Sequence, residues 1–176
     1  MSADLIRPAA IADIPVITAI YGESVLNGTA SFETVAPDAA EIERRWRSIG
    51  DGGYPYVVAE EGGRVFGFAY VAAYRTRAAY RHTVEDSIYL AADARGKGIG
   101  GALLRTLIEE SEKRGYRQMI AVIGDSVHAA SIRLHKAAGF VVVGTLVNVG
   151  YKHGRWLDSV LMQRALGRGG DVPPTD

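Results

Sequence analysis

Apolar residues recur along this chain with two alternating periods, and that alternation predicts an α/β domain. From Ala12 to Val25, apolar Ile14, Ile17, Ile20, Tyr21 and Val25 return at the spacing of one helical face. Pro15 falls in the first turn, where a missing N–H does little harm, and Asn27-Gly28-Thr29 ends the element. A second helix is predicted from Pro37-Asp38 to Ile49, with Asp38 as N-cap and Ile42 and Trp46 on one face. Leu5-Ile6-Arg7 reads as a short first strand. Tyr56 to Glu60 and Arg64 to Tyr74 read as strands joined by Glu61-Gly62-Gly63, a hairpin signal.

His82 to Leu90 reads as a further strand, polar at its start and apolar at its end. Its alternation places Thr83, Glu85, Ser87 and Tyr89 on one face. After a glycine-rich stretch, Leu103, Leu104, Leu107 and Ile108 mark the inner face of a helix that begins near Ile99 and stops at Gly115. Gln118 to Ile123 is a compact buried strand, and Ala129 to Ala138 a short helix stopped by Gly139. Phe140 to Val149 and Trp156 to Met162 complete the sheet. No linker separates two domains and no repeat occurs. The expected organisation is one domain over residues 1–166, with a flexible tail over 167–176.

A length of 176 residues suits one domain with a substantial core. Lys and Arg total 20 against 20 Asp and Glu, so no nucleic-acid footprint is expected. The absence of cysteine excludes disulfides, thiolate nucleophiles and Cys-ligated zinc. The four histidines lack metal-ligand spacing, so no metal is expected. No stretch approaches the roughly 20 apolar residues of a spanning helix, and Met-Ser-Ala-Asp-Leu-Ile-Arg-Pro lacks the run of a signal peptide. No membrane partner and a cytoplasmic location are therefore expected.

Candidate chemistry concentrates at Arg95-Gly96-Lys97-Gly98-Ile99-Gly100-Gly101. Glycines let backbone N–H groups approach an anion, and the helix N-terminus adds partial positive charge. Taken literally, Gly96 to Gly101 spells the dinucleotide fingerprint G-x-G-x-x-G, and Asp125 stands near the place of the ribose-binding acid. Against that reading, Ala91 to Arg95 intervene between strand and glycines, and too little sheet-forming chain follows Asp125. A P-loop is excluded because Ala102 replaces the required lysine.

Arg95, Gly98 and Gly100, with apolar Ile99 between, resemble instead the R/Q-x-x-G-x-G/A pyrophosphate loop of the GNAT acyl-CoA N-acyltransferases. Three further blocks carry the resemblance: Thr83 to Leu90; Ala130 to His135 continuing to Gly139-Phe140; and Gly150 to Asp158. They are similar to the phosphinothricin and methionine sulfoximine/sulfone acetyltransferase branch, and the likeness runs from about Leu5 to Arg164. The fold implied is α/β, with a mixed, mostly antiparallel central sheet flanked by helices. The activity implied is acetyl transfer from acetyl-CoA to the amine of a small amino-acid-like substrate by direct attack in a ternary complex. Another small amine, a protein N-terminus, or a non-catalytic acyl-CoA sensor are the other readings.

The resemblance assigns site residues. Gly96, Gly98, Ile99 and Gly100 would hold the pyrophosphate by backbone N–H groups, with Arg95 and Lys97 as countercharges. Ile88, Tyr89 and Leu90 would bind the pantetheine amides and polarise the thioester carbonyl. His128 stands where the family usually has a pantetheine-binding asparagine, and Ser131 is a further polar partner. Glu85 would act as base or ammonium anchor; otherwise it is a solvated strand residue paired with Arg81 or His82. His135, in the slot of a proton-donating tyrosine, either serves the CoA sulfur or is a satisfied helix histidine. Arg75, Thr76 and Arg77 would meet an anionic group of the acceptor or form an exposed basic loop. Phe32, within Thr29 to Glu33, would cover the substrate or plug the core. His153 and Trp156 read as structural, and by resemblance their hairpin approaches the partner subunit of a homodimer.

Overall fold

The structure, a computed structural model, describes residues 5–174. Residues 1–4, which carry half of the stretch read for a leader, and residues 175–176 of the tail lie outside the described residues. Seven strands form one sheet: β1 (Ile6–Pro8), β2 (Tyr56–Glu61), β3 (Arg64–Ala73), β4 (Thr83–Leu90), β5 (Gln118–Gly124), β6 (Val141–Lys152) and β7 (Arg155–Ala165). Their order is β1-β2-β3-β4-β5-β7-β6, and every neighbouring pair is antiparallel except β4–β5. Four helices cover it: α1 (Ile14–Asn27), α2 (Ala39–Asp51), α3 (Ile99–Lys113) and α4 (Ala129–Ala137).

The period-2 pattern of the strands explains why the helices divide between two faces. Val57, Ala59, Ala69, Val71, Val84 and Met119 pack with the Leu103, Leu104 and Leu107 face of α3. Val58, Val65 and Phe68, from the opposite pleats, pack with Ile14, Ile17 and Ile20 of α1 and Ile42 of α2. An aromatic stack runs over the second face, with Phe68 between Tyr56 and Tyr89 and with Tyr21 edge-on to Tyr89.

Local signals fall where the sequence puts them. Asp38 caps α2 by accepting from the Glu41 N–H at 2.8 Å. Gly62 and Gly63, at φ of 61° and 80°, form the two-residue turn between β2 and β3. The last two strands exceed their predicted limits: β6 reaches Lys152 and β7 starts at Arg155, with only His153 and Gly154 between them. Hairpin pairing extends both strands past the point where their apolar pattern ends. The segment from Gly167, expected to be flexible, forms a turn against buried Leu166, and the Gly167 N–H reaches Glu112 at 3.2 Å.

Gly67 pairs with Leu90 where β3 meets the end of β4. A Cβ there would lie 2.4 Å from the Leu90 side chain and 2.7 Å from the Tyr89 carbonyl oxygen. Gly67→Ala is therefore expected to destabilise the fold by about 1–3 kcal/mol, measured as a lower midpoint of urea unfolding.

Candidate functional site

The site originates in a discontinuity of the sheet. β4 and β5 pair only from Thr83 to Asp86, against Gln118 to Ala121, and the described residues show no pairing beyond. On its other edge β4 continues alongside β3 to Leu90, while β5 continues alongside β7 to Gly124. Each strand is held by its antiparallel neighbour, so the two diverge as the sheet twists. The N–H and C=O groups of Ser87 to Leu90 that face β5 lose sheet partners and line an opening.

Two cavities meet there. One, of about 370 Å³, is walled by Ala30, Ser31, Phe32, Tyr70, Glu85, Ser87 and the diverging part of β5. The other, of about 510 Å³, runs beside Ile88, Tyr89 and Leu90 to Arg95, Gly96, Gly98 and Gly100. Ala30, Ile88, Tyr89, His128 and Ser131 line both, so they form one channel through the gap.

At the far end of the channel, Gly96 and Gly98 have φ of 75° and 81°, and Gly98 is the N-cap of α3. Nothing lies within 4 Å of where a Gly96 Cβ would be. The backbone thus turns open N–H groups outward at a helix N-terminus, an arrangement suited to an anion. Arg95 forms an ion pair with Glu23 of α1 at 2.8 Å, across the same cavity. The Ile99 side chain turns into the core under α3, as the hydrophobic period of the helix requires, while its N–H stays at the open first turn of the helix. Lys97 is exposed and outside the cavity wall.

Glu85 is half-buried in the first cavity. Burial raises its pKa to about 7; neighbouring Asp86 adds to the rise and Arg75 opposes it. It is not the fully solvated, paired strand residue of the alternative reading. Tyr70 stands directly opposite Ser87 across β3 and β4 on the same wall. Arg75 stacks near Tyr74 and Tyr80, with its guanidinium carbon 5.1 and 5.9 Å from their ring centres. Arg75, Thr76 and Arg77 are exposed and lie outside the cavity wall. Arg75 reaches the site through its charge, from the rim.

Asp86, the adjacent pleat, points to the opposite face and meets α4. Its Oδ2 lies 3.0 Å from His135 Nε2, and both side chains are at most 5% exposed. His135 Nδ1 lies 2.8 Å from the Ser131 carbonyl oxygen. A carbonyl and a carboxylate oxygen both accept, so the ring is held as a double donor. Burial opposes its charge, but Asp86 and the Ser131 carbonyl outweigh burial and raise its pKa. With both nitrogens engaged, His135 lacks the free N–H expected of a proton donor to sulfur. His128 has the opposite character: burial, opposed by Asp125 and assisted by Arg95, lowers its pKa. It is a neutral imidazole where the two cavities join.

Sequence reasoning missed Asp86, Tyr70 and Ser31. Only the break in alternation at Glu85-Asp86 signalled the first, because an acid on each face of one strand needs two polar environments. Asp125, weighed as a ribose-binding acid, is buried in an ion pair with Arg155. The dinucleotide reading also fails on topology, because β4 runs antiparallel to β3.

A family model for the acetyltransferase (GNAT) family matches residues 23–140. Over 162 residues the chain is 52% identical to a phosphinothricin N-acetyltransferase of Alcaligenes faecalis, covering 92% of this chain and 82% of that protein. It is 43% identical over 159 residues to an L-methionine sulfoximine/L-methionine sulfone acetyltransferase of Pseudomonas aeruginosa, covering 90% and 92%. Among solved structures, a GNAT superfamily phosphinothricin acetyltransferase from Sinorhizobium meliloti in complex with AcCoA superposes with a TM-score of 0.95. That pair is 53% identical, over 97% of this chain and 92% of the other.

The Asp86–His135 geometry has a direct test. The raised His135 pKa means a stabilising charge present below the unfolded value and lost as pH rises through the folded value. Carbon-13 histidine spectra should show imidazolium persisting above its ordinary midpoint. In Asp86→Asn, burial remains without the countercharge, and the midpoint should fall below that of wild type.

Proposed function

This chain belongs to the GNAT acetyltransferase family, and we propose that it acetylates the amino group of phosphinothricin- or methionine sulfoximine/sulfone-type amino acids with acetyl-CoA. One observation carries the reading: a half-buried carboxyl with its pKa raised to about 7 stands in a cavity that opens onto unpaired strand edge and a glycine-rich helix N-terminus.

The residues divide the work along the channel. Gly96, Gly98 and Gly100 hold the pyrophosphate of the donor with backbone N–H groups, and Arg95 exchanges Glu23 for phosphate. The free edge of Ser87 to Leu90 pairs with the pantetheine amides as a strand would. His128 and Ser131 border the arm at the junction of the cavities. A backbone N–H of the same edge polarises the thioester carbonyl, whose oxygen gains negative charge as the amine attacks.

Glu85 takes the ammonium proton, directly or through water. The C–N bond then forms, the C–S bond breaks, and the proton that the nitrogen sheds on becoming an amide passes through water in the channel to the departing thiolate. Asp86 and His135 keep the strand rigid where it leaves β5. Arg75, at the rim, attracts the anionic group of the acceptor, and Phe32 closes the wall opposite Glu85. No step calls for a metal.

A homodimer and a cytoplasmic location belong to the same reading. β6 is the outermost strand, and Val141, Val143, Leu146, Val147 and Val149 along it are at least half exposed, beside exposed Tyr151 and Trp156. A continuous apolar edge of this kind favours burial against a second copy. Val147→Glu should shift the sedimenting species from dimer to monomer; an unchanged profile would remove β6 from the interface.

The activity is tested by following free CoA with acetyl-CoA and a panel of amines. Turnover is expected with methionine sulfone, methionine sulfoximine and phosphinothricin. Tight acetyl-CoA binding without turnover of any amine would make the chain a sensor. For a good acceptor, kcat/KM should rise with pH through a midpoint near 7, because the protonated Glu85 carboxyl cannot accept a proton. Glu85→Gln should abolish that limb and lower kcat by about 100-fold. Arg75→Gln, which removes the charge opposing the rise, should move the midpoint upward.

A further inference from the structure

The segment from Gly28 to Glu33 follows α1 and crosses the gap between β4 and β5. Its upstream side belongs to the α1/α2 face. The Tyr21 hydroxyl lies 3.1 Å from Ser31 Oγ and donates to Glu33 at 2.7 Å, while Arg45 donates to the same carboxylate at 2.7 Å. Its underside belongs to the other half of the sheet. His153 Nε2 donates to the Gly28 carbonyl at 3.2 Å, and the Thr29 carbonyl oxygen lies against Gly124, beside Asp125. Lys152 Nζ donates to the Ser31 carbonyl at 2.7 Å.

The C-terminal hairpin is shaped for this contact. His153 and Gly154, at φ of 51° and 74°, make its tight turn, which places Lys152 opposite Arg155. Arg155 pairs with Asp125, so one cation flanking the turn holds the segment directly and the other fixes the residue after Gly124, against which the segment lies. Asp158 accepts from the Asn148 N–H at 3.0 Å and holds the irregular part of β6, where the register shifts between Leu146 and Gly150. That shift presents Gly150 to Phe32. A Cβ at Gly150 would lie 2.4 Å from the Phe32 ring, and one at Gly124 would lie 2.3 Å from the Thr29 carbonyl oxygen.

Lys152 is the buried cation among these ties, only 6% exposed. Burial lowers its pKa, against the attraction of Glu33. A buried ammonium is costly unless it secures something, and the group it meets is the backbone of the cavity wall. We propose that Lys152 is a positioning residue of the acceptor site: by holding the Ser31 carbonyl, it braces the Gly28–Glu33 segment across the gap and fixes Ser31 and Phe32 as the wall opposite Glu85. The brace decides how well the amino-acid side chain fits; Gly28, Thr29 and Ala30 also border the donor cavity, but Ser31 and Phe32 do not, so the glycine-loop end of the channel does not depend on the brace. The inference rests on the acetyltransferase reading for its kinetic consequence and on geometry alone for its structural one.

Two measurements separate these. Hydrogen–deuterium exchange of wild type and Lys152→Met, without substrates, should show faster exchange confined to residues 27–33 in the variant. With acetyl-CoA and the best amine, Lys152→Met should raise the acceptor KM by about 10-fold or more, with acetyl-CoA affinity little changed. Lys152→Arg should recover part of the loss. Unchanged exchange in 27–33 together with unchanged acceptor KM would overturn the proposal, and so would an equal rise in KM for both substrates. If wild type acetylates none of the amines, the functional reading fails while the exchange comparison still decides the brace. Should Lys152→Met not fold, Lys152→Gln, a shorter neutral donor, carries the same comparison.

Discussion

The parting of β4 from β5 after Asp86 and Ala121 is the constraint on which the rest of the molecule depends. Parallel pairing is the weaker kind, and each of these strands has a full-length antiparallel partner on its other edge. The sheet can therefore open at this one seam without losing its integrity on either side. An opening in a sheet exposes backbone groups that must find partners. Here they line a channel that continues to the glycine loop and the start of α3. An extended ligand bearing amides near one end and phosphates near the other satisfies both parts, which is why acetyl-CoA fits this architecture.

The same seam explains the distribution of charge. Glu85 and Asp86 are successive pleats of β4 and so occupy opposite faces. Asp86 turns toward α4, where it meets His135 and both side chains are almost fully buried. Glu85 turns into the cavity under the Gly28–Glu33 segment, where no such partner meets it and its pKa climbs to about 7. Two adjacent carboxyls are thus prepared for different work by their surroundings. One is locked in an ion pair, and the other is left able to exchange a proton near neutral pH.

A seam must also be held at a fixed width. On one side the α1/α2 cluster of Tyr21, Glu33 and Arg45 anchors the crossing segment; on the other Lys152 and His153 anchor it. The two groups are remote from each other in sequence. Their convergence joins the halves of the sheet over the channel. The hairpin that supplies the second group also carries the exposed apolar edge of β6, so that edge and the support of the cavity wall share one structural element.

Local chemistry made much of this legible in the sequence. The α1 spacing, the Asp38 cap, the Gly62-Gly63 turn and the inner face of α3 follow from residues within a few positions of one another. The glycine loop was readable because a helix N-terminus and its preceding glycines are contiguous in the chain, and Glu85 because an acid stood out on an otherwise mild strand face. Phe32 lay in a segment that the family resemblance marked. The partners of these residues were not readable. Asp86 with His135, Lys152 with Ser31, and the exposure of Lys97 outside the cavity depend on which pleat or helix turn faces which neighbour. The sequence alone determined the elements, the phosphate-suited loop and the acid of the site. The tertiary structure decided where the sheet opens, which carboxyl is neutralised and which is left reactive. Those outcomes depend on desolvation and on contacts across more than a hundred residues of chain in the case of Ser31 and Lys152, and no local pattern encodes them.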